Sequence, residues 1–194
     1  MANYQEYQLV NFDVNREADE IILINNAGTL GEIKPLGQIS PPAIELAYQI
    51  NLVAPSILCK LFIAQTSKRQ QKRTIINISS GAAKYPVPSW STYCASKSGL
   101  DLFTKVMAQD HPDVRCHAIA PGIVDTEMQG EIRQLKVDDF PEVGRFKDYK
   151  SQGELSDPKK VASKLHRLIE NPDLAPGLVF SAARAELTQY SYLG

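Results

Sequence analysis

Three short runs rich in β-branched residues, at 21–24 (IILI), 74–78 (TIINI) and 114–120 (VRCHAIA), are separated by stretches of helical periodicity. No other feature of the sequence constrains the fold as much. The first two runs lack strict polar alternation, as do strands covered on both faces. Between them, residues 40–66 open with Ser40 ahead of Pro41, an N-cap followed by a proline that the first helical turn tolerates. Residues 91–109 place Leu100, Phe103, Val106 and Met107 at helical spacing. Strands alternating with helices predict a doubly wound parallel sheet with helices on both faces, an α/β/α sandwich. Residues 121–157 read as polar and irregular, 157–171 as a capped helix, and 176–180 (PGLVF) as a last short strand. With 194 residues and neither repeats nor a low-complexity linker, one domain is expected.

One spacing resists this layout. Residues 7–14 (YQLVNFDV) read as a strand, yet only the six residues 15–20 separate it from the IILI run. Neighbouring parallel strands need a crossover of roughly a dozen residues. Either the first run is not a parallel neighbour, or a crossover helix is absent from the chain; absence is the reading favoured here.

Composition narrows the function classes. The formal net charge is −1 and Lys and Arg form no basic block, which gives no electrostatic case for nucleic acid or a membrane surface. A small soluble partner is expected. The start (MANYQEYQLV) lacks the basic region and apolar run of a signal peptide, and no apolar run reaches membrane-spanning length, so a cytoplasmic location is expected. Cys59, Cys94 and Cys116, like His111, His117 and His166, are too scattered to form a metal set, and the cysteines read as reduced thiols.

The chemistry lies in an ordered series of motifs, each weak alone. They are Asn25-Asn26-Ala27-Gly28 after a strand, Asn51 within a long helix, NISS (77–80) after the next strand, Tyr93-x-x-x-Lys97, and Pro121-Gly122 after a third strand. Residues four apart share a helix face, so Tyr93 and Lys97 point the same way. This order and spacing resembles the short-chain dehydrogenase/reductase family. Within it, LINNAGTLGEI, NISSGAA, Trp90 shortly before YCASK, APGIVDTEMQ and GELSDPKKVASKL look like the subgroup of sepiapterin reductase and the benzil and carbonyl reductases. The resemblance runs from about residue 8 to 180 and implies a Rossmann-like sheet, an NADP(H) cofactor and a small carbonyl substrate. It also implies a homodimer pairing the apolar stripes of the two long helices.

The resemblance implies the following roles. Tyr93 protonates the substrate oxygen, Ser80 binds that oxygen, and Lys97 holds the cofactor ribose. The Asn51 backbone carbonyl holds a relay water. Asn25, Ala27 and Gly28 lie against the adenine-side ribose, Asp13 meets the adenine edge, and Pro121, Gly122, Ile123 and Thr126 line the nicotinamide and pyrophosphate. Residues 129–153 form a substrate lid. Ser79 suits a strand-end serine bonded to backbone.

Two of these roles carry physical expectations of their own. A tyrosine with a pKa near 10 needs a downward shift of roughly three units, ~4 kcal/mol, to work near neutral pH. A unit charge ~4 Å away supplies about that much at an effective dielectric of ~20, so Lys97 could do it alone. The Asn51 carbonyl would normally accept from residue 55, but Pro55 has no N–H. A kink over 51–55 is expected, with that carbonyl turned towards water near Lys97.

Two departures from the family pattern stand out. No T-G-x-x-x-G-x-G segment occurs, and that element puts a helix N-terminus against the pyrophosphate. The chain as written is therefore expected to be an incomplete Rossmann-like domain, lacking the glycine-rich βαβ part and a crossover helix, with weak or no dinucleotide binding. The tail (181–194) is atypical: after Asp173 its only acid is Glu186, where sepiapterin reductases anchor a pterin with a late aspartate. Both a pterin and a small diketone stay open as substrates, and a non-catalytic homologue that binds a partner is the competing reading.

Overall fold

The computed structural model describes residues 18–182. The 7–14 run with Asp13, and the tail residue Glu186, lie outside the described residues. Four strands, β1 (Glu20–Asn25), β2 (Lys72–Ile78), β3 (Arg115–Ala120) and β4 (Val179–Ser181), pair in sequential order. All three pairings are parallel, with Asn25 opposite Asn77, Ile78 opposite Ile119 and Ala120 opposite Ser181. Each crossover carries helix: α1 (Pro41–Tyr48) and α2 (Ala54–Thr66) after β1, α3 (Ser91–Asp110) after β2, and α4 (Glu127–Arg133), α5 (Val143–Ser151) and α6 (Pro158–Glu170) after β3.

The period-2 geometry of β2 divides the core into two layers. Ile75 packs with Cys59 and Phe62 of α2, Met107 of α3, Val114 and Cys116, while Ile76 turns the other way, onto Ile119, Leu168 of α6 and Phe180. Helices therefore cover both faces, as the strand–helix alternation predicts. On β1, Ile21 and Leu23 join the α2/α3 layer, whereas Ile22 and Ile24 are 38% and 48% exposed on the α6 side. Among the described residues nothing covers that patch.

Local signals place the helix starts. The Ser40 side chain accepts from the Ala43 N–H at 3.4 Å, and the Asp157 carboxylate accepts from Lys159 N–H at 2.6 Å, each a cap worth ~1 kcal/mol. The apolar stripe of α3 is narrower than its spacing predicts: Leu100 and Met107 are buried, but Val106 is 47% exposed.

Two expectations are corrected. Residues 121–157 are not irregular: α4 and α5 form there, and a parallel bridge between Val124 and Ser156 closes the segment at its base. Their apolar residues Ile132, Phe140, Val143 and Phe146 are spread thinly through polar sequence, which hides the helical period. Helix also runs without a break from Pro41 to Thr66, long and apolar enough by length and composition alone to cross a membrane. The expectation that no such stretch exists does not hold. Its length comes from a π-turn, Gln49–Val53, that joins α1 to α2, and the helix packs on α3 and on the sheet.

Candidate active site

Three consecutive residues at the C-terminal end of β2 each grip one residue of a single stripe on α3. The stripe is Tyr93, Lys97 and Asp101, at i, i+4 and i+8, and all three are buried, at 7%, 4% and 8% exposure. The Ile78 carbonyl accepts from Lys97 Nζ at 2.8 Å. The Ser79 hydroxyl donates to the Asp101 carboxylate. Ser80 bonds the Tyr93 phenol. Its oxygen accepts from the Ala82 N–H at 3.2 Å, capping the short turn Gly81–Ala83 and leaving the hydroxyl proton free for Tyr93. Ser79 thus bonds a carboxylate through its side chain, where a backbone partner was expected. Its own N–H donates to the Ile119 carbonyl at 2.9 Å and ties the β2 end to β3.

The electrostatics differ from the expectation for Tyr93. Burial pushes the phenol above its ordinary range near 10, and the Ser80 hydrogen bond pulls it back only in part. Lys97 Nζ lies 5.9 Å from the Tyr93 ring centroid and donates to the Ile78 carbonyl at 2.8 Å. Lysine alone does not lower this tyrosine. Lys97 itself is brought down to about 8 by burial, with the Asp101 charge opposing the fall. Asp101 is raised by burial and held back by the Ser79 hydrogen bond and by Lys84, Lys105 and Lys97.

Asn51 joins this centre to the loop after β1. Its side-chain oxygen accepts from the Thr29 N–H at 2.9 Å, and its amide donates to the Thr29 carbonyl at 2.8 Å and to Ser96 Oγ of α3 at 3.1 Å. The helix at this point takes up a π-turn in place of a simple kink. The Ala54 N–H bonds the Gln49 carbonyl, so Pro55 can donate neither to its α partner Asn51 nor to its π partner Ile50. Asn51 is 0% exposed, so its carbonyl does not open onto bulk solvent as expected. Gly28 passes beside both groups: a β-carbon there would lie 3.4 Å from Asn51 Oδ1 and 3.4 Å from Lys97 Nζ. Ala27 and Gly28 are exposed, which leaves an open backbone next to the lysine. Asn25 behaves otherwise. Its side chain turns inward, donating to Asn77 Oδ1 at 2.7 Å, and Asn77 in turn donates to Thr104 Oγ1 of α3 at 2.9 Å. Its amide is committed to the core and does not face a ligand.

Pro121, Gly122, Ile123 and Thr126 follow β3 on the same edge of the sheet as the loops after β1 and β2, the edge where parallel α/β sheets place ligands. Gly122 adopts φ +92°, a left-handed conformation that favours glycine. The Ile123 carbonyl accepts from Ser156 N–H at 2.8 Å, and Thr126 Oγ1 donates to the Val124 carbonyl at 3.4 Å. Tyr93, Lys97, Ser80, Asn51 and Gly28 are thus brought together. Asp101, Ser96, Thr29 and the Ile78 carbonyl were missed. Asp101 did have a signal, its place one turn beyond Lys97.

Over Tyr93 lies an aromatic cluster that joins Trp90, just before α3, to Phe140 and Phe146 from the segment between β3 and α6. Trp90 meets Tyr93 edge-on at 5.4 Å, stacks on Phe140 at 5.3 Å and packs with Phe146 at 5.5 Å. Ion pairs in this segment include the exposed Lys150–Asp125 at 2.6 Å and the half-buried Arg145–Glu142 at 2.7 Å.

Comparison with known proteins agrees with this arrangement. Residues 5–136 match the family model described as short chain dehydrogenase. The chain is 41% identical over 154 residues to benzil reductase ((S)-benzoin forming) of Bacillus subtilis (strain 168), covering 77% of this chain and 63% of that protein. It is 34% identical over 161 residues to sepiapterin reductase of Bos taurus, covering 81% of this chain and 60% of that protein. It therefore spans less than two thirds of the length of these relatives. Among solved structures, the KRED1-Pglu enzyme superposes with TM-score 0.70 at 29% identity, over 77% of this chain and 62% of the other. 4-Hydroxyisoleucine dehydrogenase complexed with NADH gives 0.63 at 28%, over 82% and 66%. A metagenomic short-chain oxidoreductase in complex with NADP gives 0.50 at 34%, over 53% and 48%. With the fold, the motif order and the relatives in agreement, this chain belongs to the short-chain dehydrogenase family, in the subgroup of the benzil and sepiapterin reductases.

Proposed function

We propose that the chain carries the chemical half of an NADP(H)-dependent carbonyl reductase, with Tyr93 as the proton donor to the substrate oxygen. The observation that supports it most is the grip of Ile78, Ser79 and Ser80 on the Tyr93–Lys97–Asp101 stripe. That grip puts a phenol, a hydroxyl and an ammonium at one strand end. The residues present fit the nicotinamide and ribose side of a dinucleotide: Lys97 supplies donors, and the exposed Ala27–Gly28 backbone runs beside it. Pro121, Gly122, Ile123 and Thr126 would line the remainder. No glycine-rich turn occurs in the sequence for the pyrophosphate. When bound, the reduced nicotinamide supplies the hydride.

The protein residues then have separable tasks. Ser80 and Tyr93 hydroxyls both reach the carbonyl oxygen; as negative charge develops there, the two donors stabilise it and Tyr93 releases its proton. Lys97, still cationic below about pH 8, favours the phenolate left behind. Asn51 holds the β1 loop against α3 through its side-chain bonds to Thr29 and Ser96. The aromatic cluster over Tyr93 excludes bulk water and favours a flat, apolar carbonyl compound of the benzil type over a pterin. α4 and α5 act as the lid.

The test is NADPH oxidation by the purified chain with benzil and, separately, sepiapterin at high NADPH concentration. Turnover with benzil exceeding that with sepiapterin is the expected result. Calorimetric titration with NADPH separates the alternative, a non-catalytic homologue that binds a partner, which the missing glycine-rich turn favours. Neither binding nor turnover would establish that alternative.

A further inference from the structure

We propose that Asp101, held by Ser79, is a positioning residue that keeps Lys97 cationic and fixed at the end of β2. The inference rests on the reductase reading for its purpose but not for its test. Three observations carry it. Asp101 lies one helical turn beyond Lys97 on the face turned to the sheet, where side chains four apart are neighbours. Its carboxylate is 8% exposed, and burial of a charge without a partner is costly. Its hydrogen-bond donor, Ser79, is the residue between the one that binds Lys97 and the one that binds Tyr93.

The geometry gives this carboxylate a task that a surface acid could not perform. Lys97 is buried with one neutral acceptor, the Ile78 carbonyl, and burial favours loss of its proton. A neutral amine would not offset the charge of a phenolate. A buried anion one turn away opposes that loss in a low-dielectric setting, where charges act strongly. The Ser79 hydroxyl keeps the anion in its charged form and in one rotamer, because a hydrogen bond to the ionised oxygen favours ionisation. Ser79 thereby locks the rotation of α3 about the β2 end and with it the relative placement of Lys97 and Tyr93. The other groups facing this pair are few. Tyr93 and Lys105 share the helix, Lys84 follows the turn after β2, and the Asn51 amide approaches from the π-turn. Lys84 and Lys105 act on Asp101 in the same sense as Ser79, favouring its charged form. Asp101 is the acid that acts on Lys97.

The experiment is an NMR titration of the Lys97 side chain in the ligand-free chain, made with ¹³C-labelled lysine and assigned by Lys97→Arg. The wild-type midpoint is expected at about 8. In Asp101→Asn, which keeps an acceptor for Ser79 and removes the charge, the midpoint is expected to fall by at least about half a unit. Asp101→Glu should restore most of it. Asp101→Ser removes the same charge with a smaller side chain and predicts the same fall, should the asparagine variant not fold. An unchanged midpoint in a folded charge-deleted variant overturns the proposal, even where stability drops. Failure of both variants to fold also counts against it, since the carboxylate would then be a determinant of folding. No turnover is needed, so a negative result leaves the reductase reading standing, and absence of activity leaves this one standing.

Discussion

The β2–α3 junction and the α4–α5 segment each enclose a small set of side chains, but they are held by different forces. At the junction, polar side chains are enclosed and satisfied. Asn25, Asn77 and Thr104 form a ladder across β1, β2 and α3, while Ser79–Asp101 and Lys97–Ile78 close it at the strand end. In the α4–α5 segment the enclosed side chains are mainly apolar, Phe140, Val143, Phe146 and Ile132, and the buried polar atoms Gln129 Oε1 and Arg133 Nη1 have no hydrogen-bond partner among the described residues. Hydrogen bonds in a low-dielectric interior fix one geometry, and losing a partner is costly. Apolar packing is strong but non-directional, so a segment held that way can lift off and return without breaking a specific network. In the proposed reductase this contrast puts rigidity at the proton donor and freedom over the substrate.

Three substitutions would break or sharpen this contrast. Phe140→Ala empties the centre of the lid cluster, where Phe140 is 0% exposed; a loss of about 3–5 kcal/mol is expected. Hydrogen exchange should show it falling on α4 and α5 while β2 and α3 keep their protection. Uniform loss across both regions would erase the distinction. Asn77→Ala leaves the Asn25 amide and the Thr104 hydroxyl without their buried partner. About 2–3 kcal/mol should disappear from global stability in urea denaturation, with the lid following the rest of the chain. A purely local effect there would mean that the ladder is not common to both halves of the core. Lys150→Ala removes an exposed ion pair to Asp125, and its effect should stay below ~1 kcal/mol and shrink further in salt.

The alternation of β-branched runs and helical periods was enough to read the parallel sheet and its flanking helices, because the buried run of β2 is covered on both faces and lacks strict polar alternation. The α4 and α5 helices were not legible, since few apolar residues in a polar stretch give no clear period. At the site, Tyr93, Lys97 and Ser80 were legible from spacing, which one helix and one strand end preserve. What spacing could not supply was burial: the charge balance for Tyr93 counted only the lysine, and only the fold shows that burial pushes the phenol up and that Lys97 is bonded to the Ile78 carbonyl. The direction of the Asn25 amide was equally hidden, since a strand-end asparagine reads the same whether its amide points to solvent or to Asn77. Asp101 carried a usable signal in its four-residue spacing from Lys97, but nothing in the sequence showed Ser79 opposite it.

The most direct measurement is the steady-state rate of benzil reduction at saturating NADPH for the wild-type chain and Tyr93→Phe, with NADPH affinity measured on both. With Tyr93 as proton donor, the phenylalanine variant should lose at least ~100-fold in rate while its affinity for NADPH stays within about threefold. A variant that reduces benzil as fast as the wild-type chain would contradict the assignment of the β2–α3 junction as the reductive centre.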